Sequence, residues 1–327
     1  MRAVPILSIR NLTIEFRTPR GILRAVDGVH LDIYEGEAFG LIGESGCGKS
    51  VLANAILRIV APNGYIKSGS ILFRGKDILA LDDKSLRKIR WEKVSMIFQS
   101  ALNCLNPVIK IKEHIIDTAE AHKKERCDEI VLLSSKLLEL MGLNPERTLE
   151  SYPFQLSGGM KQRVVAVLAF LLNPELVILD EPITALDILT QAYFVHLIKE
   201  IHEKRKNTIL FITHDIPVIS GLVDRVGVMY LGNIIEIGNA DDVLLNPLHP
   251  YTKALIESIP QIIGPIKAKP IPGPYPDPIN PPSGCKFHPR CPYAMDVCKK
   301  QRPQLVEVEK GRLVACHLYT KEGETHG

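Results

Sequence analysis

"EAFGLIGESGCGKSVLANAILRIV", Glu37 to Val60, holds three elements in succession. Ala38 to Gly43 is a short apolar run of the kind that is buried on both faces of a sheet. Gly43 to Ser50 matches G-x-x-x-x-G-K-[ST], and from Lys49 to Val60 apolar residues recur at helical spacing, at Leu52, Ala55, Ile56 and Ile59. Strand, glycine-rich loop and helix in that order are the setting a phosphate-binding loop requires. Glycines let backbone N–H groups curl around phosphate oxygens with no Cβ in the way, and the helix adds its positive N-terminal end. Lys49 can neutralise the β- and γ-phosphates and the Ser50 hydroxyl can ligate Mg²⁺. Glu44, Ser45, Gly46, Cys47 and Gly48 complete the loop. The local field there favours a thiolate at Cys47; a small side chain tolerated at a variable position is the plainer reading.

The rest of the chain bounds what this loop can serve. Its 327 residues suffice for one large domain with an appendage, or for two domains. Hydrophobic residues make up 46% and charged residues 24%, the balance of a globular protein with a core. A net charge of +3, from 40 basic and 37 acidic residues, is too even to argue for nucleic acid or an anionic membrane. The longest apolar run, "VVAVLAFLL" from Val164 to Leu172, falls well short of the roughly 20 residues of a membrane span. The opening "MRAVPILSIRNLTIEFR" is broken by Ser8, Arg10 and Asn11, so no signal peptide is expected and a cytosolic setting follows. Disulfides are disfavoured there.

Composition shifts once. Gly264 to Gly284 carries eight prolines and reads as an extended connector. Beyond it, "GCKFHPRCPYAMDVCKKQRPQLVEVEKGRLVACHLY" gathers four of the seven cysteines, Cys285, Cys291, Cys298 and Cys316. Disulfides, zinc, an iron–sulfur cluster and chance are the alternatives, with His288 and His317 as neighbours able to donate to such a centre. Before the connector, apolar runs alternate with helical patterns, which indicates an α/β domain with a largely parallel sheet. "EHIIDTAEAHKKERCDEIVLLSSKLLELMGLN", Glu113 to Asn144, is helical by period, with the charged run 123–126 as a solvated face.

A second half-site lies downstream. In "LVILDEP" an apolar strand ends at Asp180, which can hold Mg²⁺, and Glu181 follows where a carboxylate could polarise an attacking water. Just ahead stands "LSGGMKQR", Leu156 to Arg163, which resembles the signature of ABC-type ATPases. Ser157, Gly158 and Gly159 open an apolar helix there, another N-terminus suited to phosphate. The other cassette motifs follow the family's order. Phe16 matches its adenine-stacking aromatic, Gln99 in "MIFQS" its γ-phosphate-sensing glutamine, Asp187 in "ALD" its D-loop, and His214 in "FITHD" its switch histidine. Met160 and Ile183 depart from the commonest residues, but neither change removes a phosphate contact. "SGGM", "LNPV" (Leu105 to Val108), "NPLHPYTKALIESIP" (Asn246 to Pro260) and the cysteine tail resemble the oligopeptide/dipeptide importer ATPases.

The resemblance implies an α/β P-loop NTPase cassette, with a mostly parallel core sheet, an antiparallel β subdomain, a helical subdomain and a small Pro/Cys-rich C-terminal extension. The ATPase domain would span 1–262 with its helical insert at about 101–172, and the extension 263–327. ATP is the implied cofactor, with Mg²⁺ held by Ser50, Gln99 and Asp180. Glu181, His214 and Gln99 are the implied catalytic residues. One phosphate loop and one signature cannot close a site alone, so a second ATPase subunit is implied. Two permeases and, indirectly, an extracytoplasmic solute-binding protein would complete a transporter at the cytoplasmic face of the membrane. The rival is an iron–sulfur ABC ATPase acting on nucleic acid or ribosomes. It fits poorly, because this chain has one cassette and carries its cysteines at the C-terminal end. The tail lacks the paired C-x₂₋₄-C knuckles of structural zinc sites. Together with the resemblance, this points to a [4Fe–4S] cluster on the four cysteines, zinc being the alternative. Its expected role is structural, separate from nucleotide binding.

Overall fold

The computed structural model describes residues 4–99, 101–122, 127–184, 186–259 and 269–319. The charged run 123–126, Ala185 of the "ALD" triplet, and the domain boundary expected at 262/263 lie outside the described residues. The strands are, in chain order, β1 (Pro5–Thr18), β2 (Gly21–Tyr34), β3 (Ala38–Ile42), β4 (Gly64–Phe73), β5 (Lys76–Asp77), β6 (Val94–Ile97), β7 (Leu176–Asp180), β8 (Thr208–Thr213), β9 (Arg225–Tyr230), β10 (Asn233–Asn239), β11 (Val306–Glu309) and β12 (Arg312–Val314). They fall into two compact bodies, one of residues 5–33, 39–79 and 214–327, the other chiefly of 34–38 and 80–213.

The first body contains a four-stranded sheet in the order β2-β1-β4-β5, with β1 antiparallel to β4 and β4 antiparallel to β5. It also holds the run β11-β12-β10-β9-β3. β3 is buried at every position and pairs in parallel with β9, as a continuous apolar strand should. β9 returns antiparallel as β10 through a two-residue turn in which Leu231 and Gly232 both have positive φ, 40° and 80°. That geometry matches the twist of paired strands. The helix after the phosphate loop runs Lys49–Ile56, shorter than its apolar spacing suggests. Arg58 takes φ 51° and Ile59 N–H turns back to Asn54 O, which closes the helix before Val60.

The C-terminal segment joins this sheet. β12 pairs antiparallel with β10, Glu236 opposite Val314, and β11 pairs with β12. Fully buried Glu236 anchors the join: it pairs with Arg312 at 3.1 Å and accepts the N–H groups of Leu248 and His249 at 2.9 Å each. The pairing extends the sheet in antiparallel fashion, beyond the parallel part read from sequence.

In the second body β6, β7 and β8 lie parallel, with Leu179 between Ile97 and Phe211 in register. The helical insert forms around Ile111–Glu120, Cys127–Leu140, Pro145–Leu149 and Gly158–Phe170. Every residue from Val164 to Phe170 is buried, so the second half of this last helix has no polar face. Among the described residues no helix is long and apolar enough to cross a membrane.

His249 ties a pH dependence to the first body. It is 1% exposed, caps the helix Pro250–Glu257 by accepting the Tyr251 N–H at 3.0 Å, and burial lowers its pKa to about 3. The native state therefore excludes a proton that the unfolded chain takes up below about pH 6.5. This stability is complete above that pH and is lost as pH falls from there toward 3, with a slope of up to about 1.4 kcal/mol per pH unit. His249→Asn, which keeps a capping acceptor, should flatten that part of the profile, as measured by urea unfolding at a series of pH values.

Candidate nucleotide site

The phosphate loop stands between β3 and the helix Lys49–Ile56, where the sequence places it. Gly43 and Gly48 have φ 151° and 109°, and a Cβ on either would lie 2.2 Å from a backbone carbonyl, Met229 O for Gly43 and Ala25 O for Gly48. Glycine is required at both. Lys49 is 4% exposed, and its Nζ donates to Gly43 O at 2.8 Å and Glu44 O at 3.0 Å. Among the described residues no carboxylate pairs with this ammonium, whose neighbours are two neutral carbonyls and, at 3.6 Å, Cys47 Sγ. That is a site suited to an anion. Ser50 opens the helix beside it.

Cys47 is 1% exposed, and burial pushes its thiol above the usual range despite nearby Lys49. The thiolate expected from the loop's field is not favoured, because desolvation outweighs the lysine. Phe16 lies opposite Gly64 in the β1–β4 ladder. A Cβ at Gly64 would come within 2.6 Å of the Phe16 ring, so the glycine lets the aromatic lie flat on the neighbouring strand.

The acidic residues read from sequence belong to the second body. Asp180, buried at 1% exposure, ends β7, and Glu181 turns out of the strand with φ 46°. The Glu181 N–H still donates to Ile212 O at 2.9 Å, and Gln99 Nε2 donates to Glu181 Oε2 at 2.8 Å. A strained backbone and a hydrogen-bonded side chain fix this carboxylate's direction. Two residues given separate roles by sequence are thus in direct contact.

Ser157 caps the helix Gly158–Phe170, accepting from the Met160 N–H. Gly158 has open space where a Cβ would lie, whereas one on Gly159 would meet Thr190 Cγ2 at 2.8 Å. Asp187 accepts from Thr190 N–H at 3.0 Å and Thr190 Oγ1 at 2.6 Å, capping the helix Ile188–Arg205. The signature and the D-loop aspartate therefore share Thr190 as a neighbour. Ile183 is buried, and its carbonyl accepts from Gln191 at 3.3 Å, so the core takes this substitution without loss. His214 follows β8 and is exposed.

Cys285, Cys291, Cys298 and Cys316 are all free thiols. Cys285 and Cys316 are each pushed up to about 11, by burial first and then by the neighbouring cluster cysteines. The four therefore share one neighbourhood, and Cys285 N–H donates to Cys298 O at 2.8 Å. Yet among the described residues no three His, Cys, Asp or Glu side chains are grouped so as to hold a metal ion. The donor set suits a thiolate-bound centre. His288 Nδ1 lies 2.9 Å from Cys285 O and His317 Nε2 2.9 Å from Gln301 O, so these rings pair with backbone carbonyls.

The tail also touches the phosphate loop. Arg290 pairs with Glu44, 246 positions away in sequence, through Nη1–Oε2 at 2.9 Å and Nη2–Oε1 at 3.2 Å. Tyr251 OH accepts the Glu44 N–H at 2.9 Å. Neither contact has a sequence signal, because each joins segments far apart in the chain.

The ABC transporter family profile matches residues 26–184, and that of the oligopeptide/dipeptide transporter C-terminal region matches residues 235–298. The dipeptide transport ATP-binding protein DppD of Caldanaerobacter subterraneus subsp. tengcongensis is 46% identical, over 96% of this chain and 97% of its own length. The oligopeptide transport ATP-binding proteins AppD of Bacillus subtilis and OppD of Escherichia coli are 43% and 39% identical. They cover 97% and 98% of this chain, and the matches span 98% and 95% of their own lengths. Among solved structures, the dimeric bacterial ABC transporter cassette MJ0796 superposes with a TM-score of 0.63 at 28% identity, covering 72% of this chain and 98% of that one. The cbiO1 subunit of a Clostridium perfringens ABC transporter complex gives 0.64 at 28% identity, covering 74% and 91%.

The loop geometry sets an order of substitution costs. Gly46→Ala introduces a Cβ into open space at φ 78° and should cost roughly 1 kcal/mol, the usual price of a left-handed alanine. Gly48→Ala adds a backbone clash to the same strain and should cost more. Thermal unfolding without nucleotide checks the ranking.

Proposed function

This chain belongs to the ATP-binding subunits of the oligopeptide/dipeptide ABC importers, and on that premise we propose how its residues divide the work. As the ATPase of such an importer it hydrolyses ATP. Gly43 to Ser50 wraps the phosphates, Lys49 neutralises the β- and γ-oxygens, and Phe16 stacks on the adenine. Ser50, Gln99 and Asp180 would hold Mg²⁺, which when bound would supply positive charge to offset that of the phosphates. Glu181 takes the proton of the attacking water, Gln99 steadies that carboxylate, and His214 completes the catalytic set. Ser157, Gly158, Gly159 and Asp187 act toward a second ATPase subunit, whose own signature acts toward this one.

The observation that carries the catalytic part is the Gln99–Glu181 hydrogen bond at 2.8 Å, on a backbone that leaves its strand at φ 46°. A general base has to be aimed before it can act. Glu181→Gln should keep Mg-ATP binding and slow turnover by roughly 10²- to 10⁴-fold, the usual worth of a positioned base. Steady-state hydrolysis beside nucleotide titration checks this, and near-normal turnover would remove Glu181 from the role.

We assign the powered solute to the di- and oligopeptide class, following the transport named for the relatives, and place the chain peripherally at the cytoplasmic membrane face. Two permeases would be its membrane partners, and a solute-binding protein would act through them. ATPase domain and extension divide at 262/263 in this reading.

Cys285, Cys291, Cys298 and Cys316 would hold a [4Fe–4S] cluster, which supplies structural crosslinking of the tail when bound. The lack of paired C-x₂₋₄-C knuckles and the likeness of the tail to the importer ATPases support this cluster over zinc. Protein purified without oxygen should be brown, with about four iron and four sulfide per chain. A colourless preparation with one zinc would replace the metal in this account.

A further inference from the structure

Three side chains between Cys285 and Cys291 reach the support of the phosphate loop. Lys286 Nζ donates to Leu231 O at 2.7 Å and pairs with Asp27 at 2.9 Å. Leu231 lies in the β9–β10 turn, whose Gly232 N–H donates to Cys47 O at 2.8 Å. Phe287, 1% exposed, meets Tyr230 and Tyr251 edge-on with ring centroids 5.4 Å away in each case, and Tyr251 is the residue that receives the Glu44 N–H.

Arg290 is the most constrained of the three. Its side chain is 4% exposed, its Nε donates to Pro272 O at 2.8 Å, and its guanidinium lies 5.8–6.0 Å from the ring centres of Tyr230, Tyr275 and Phe287. The planar fork then meets Glu44 bidentately, with the Glu44 side chain 24% exposed. A carboxylate in a phosphate-binding loop opposes the ligand unless something neutralises it, and this arginine does so.

We propose that Arg290 is a positioning residue for nucleotide binding: by clamping and neutralising Glu44, it makes the affinity of the phosphate loop depend on the cysteine-bounded loop 285–291. The proposal rests on Gly43–Ser50 being the nucleotide site. Without the arginine, an unpaired carboxylate roughly 8–12 Å from a phosphate charge, at an effective dielectric near 20, weakens binding on the order of ten- to thirtyfold.

The test is titration of the full chain, purified without oxygen, with a fluorescent ADP analogue and Mg²⁺. Arg290→Gln should raise Kd by about ten- to thirtyfold. Glu44→Gln combined with Arg290→Gln should return it to within roughly threefold of the original, because the offending charge is gone. Arg290→Lys, which keeps the charge but loses the fork, should fall between. A Kd for Arg290→Gln equal to that of the original chain overturns the proposal. So does a double variant as weak as the single one, since Arg290 would then serve the fold alone. An original chain that binds no nucleotide would instead strike the reading of Gly43–Ser50.

Discussion

Two backbone carbonyls set the limit on which the first body is built. Met229 O and Ala25 O press so closely on the phosphate loop that neither Gly43 nor Gly48 could carry a side chain. A loop seated this tightly presents its N–H groups in one fixed arrangement, so its anion affinity needs no reordering on binding. Each supporting element inherits the constraint. β9 supplies Met229, the β9–β10 turn holds Cys47 O through Gly232, and Tyr251 holds the Glu44 N–H.

The C-terminal segment attaches to this support mainly through charge. Arg312 pairs with buried Glu236, Lys286 and Arg302 converge on Asp27, and Arg290 closes on Glu44. Burial alone would raise the Asp27 pKa, but Lys286, Arg302 and Arg24 together outweigh it and hold the carboxyl below its usual value. Buried pairs of this kind contribute little net stability compared with apolar packing, yet breaking one leaves a costly unpaired charge. They therefore specify where the tail sits more than they stabilise it. Phe287, packed among Tyr230, Tyr251 and His249, supplies the apolar contact beside them.

In the second body the same economy appears around Glu181 and Thr190. Glu181 is held by its own N–H to Ile212, by Gln99, and at 3.4 Å by Thr184. Thr190 is shared by Asp187, to which it donates, and by Gly159, whose missing Cβ makes room for it. Short polar contacts between neighbouring motifs leave each side chain one direction, which is what chemistry at a phosphate requires.

Much of this protein is local and so was legible in the chain itself. Continuous apolar runs gave β3 and β7, because a strand buried on both faces has no polar alternation to hide. The glycines, Lys49 and Ser50 announced a phosphate loop, and the order of cassette motifs identified the family. Capping roles such as those of Ser157 and Asp187 also lie within a few residues of their partners. Other features depended on contacts between distant segments. The early end of the first helix, set by Arg58, escaped an apolar period that continues to Ile59. The neutral thiol of Cys47 came from burial, which no motif displays. The tail's strand beside β10 and the Arg290–Glu44 pair join segments far apart in the chain. Only folding brings those charges together, since ion pairing at a distance leaves no periodicity or spacing to read.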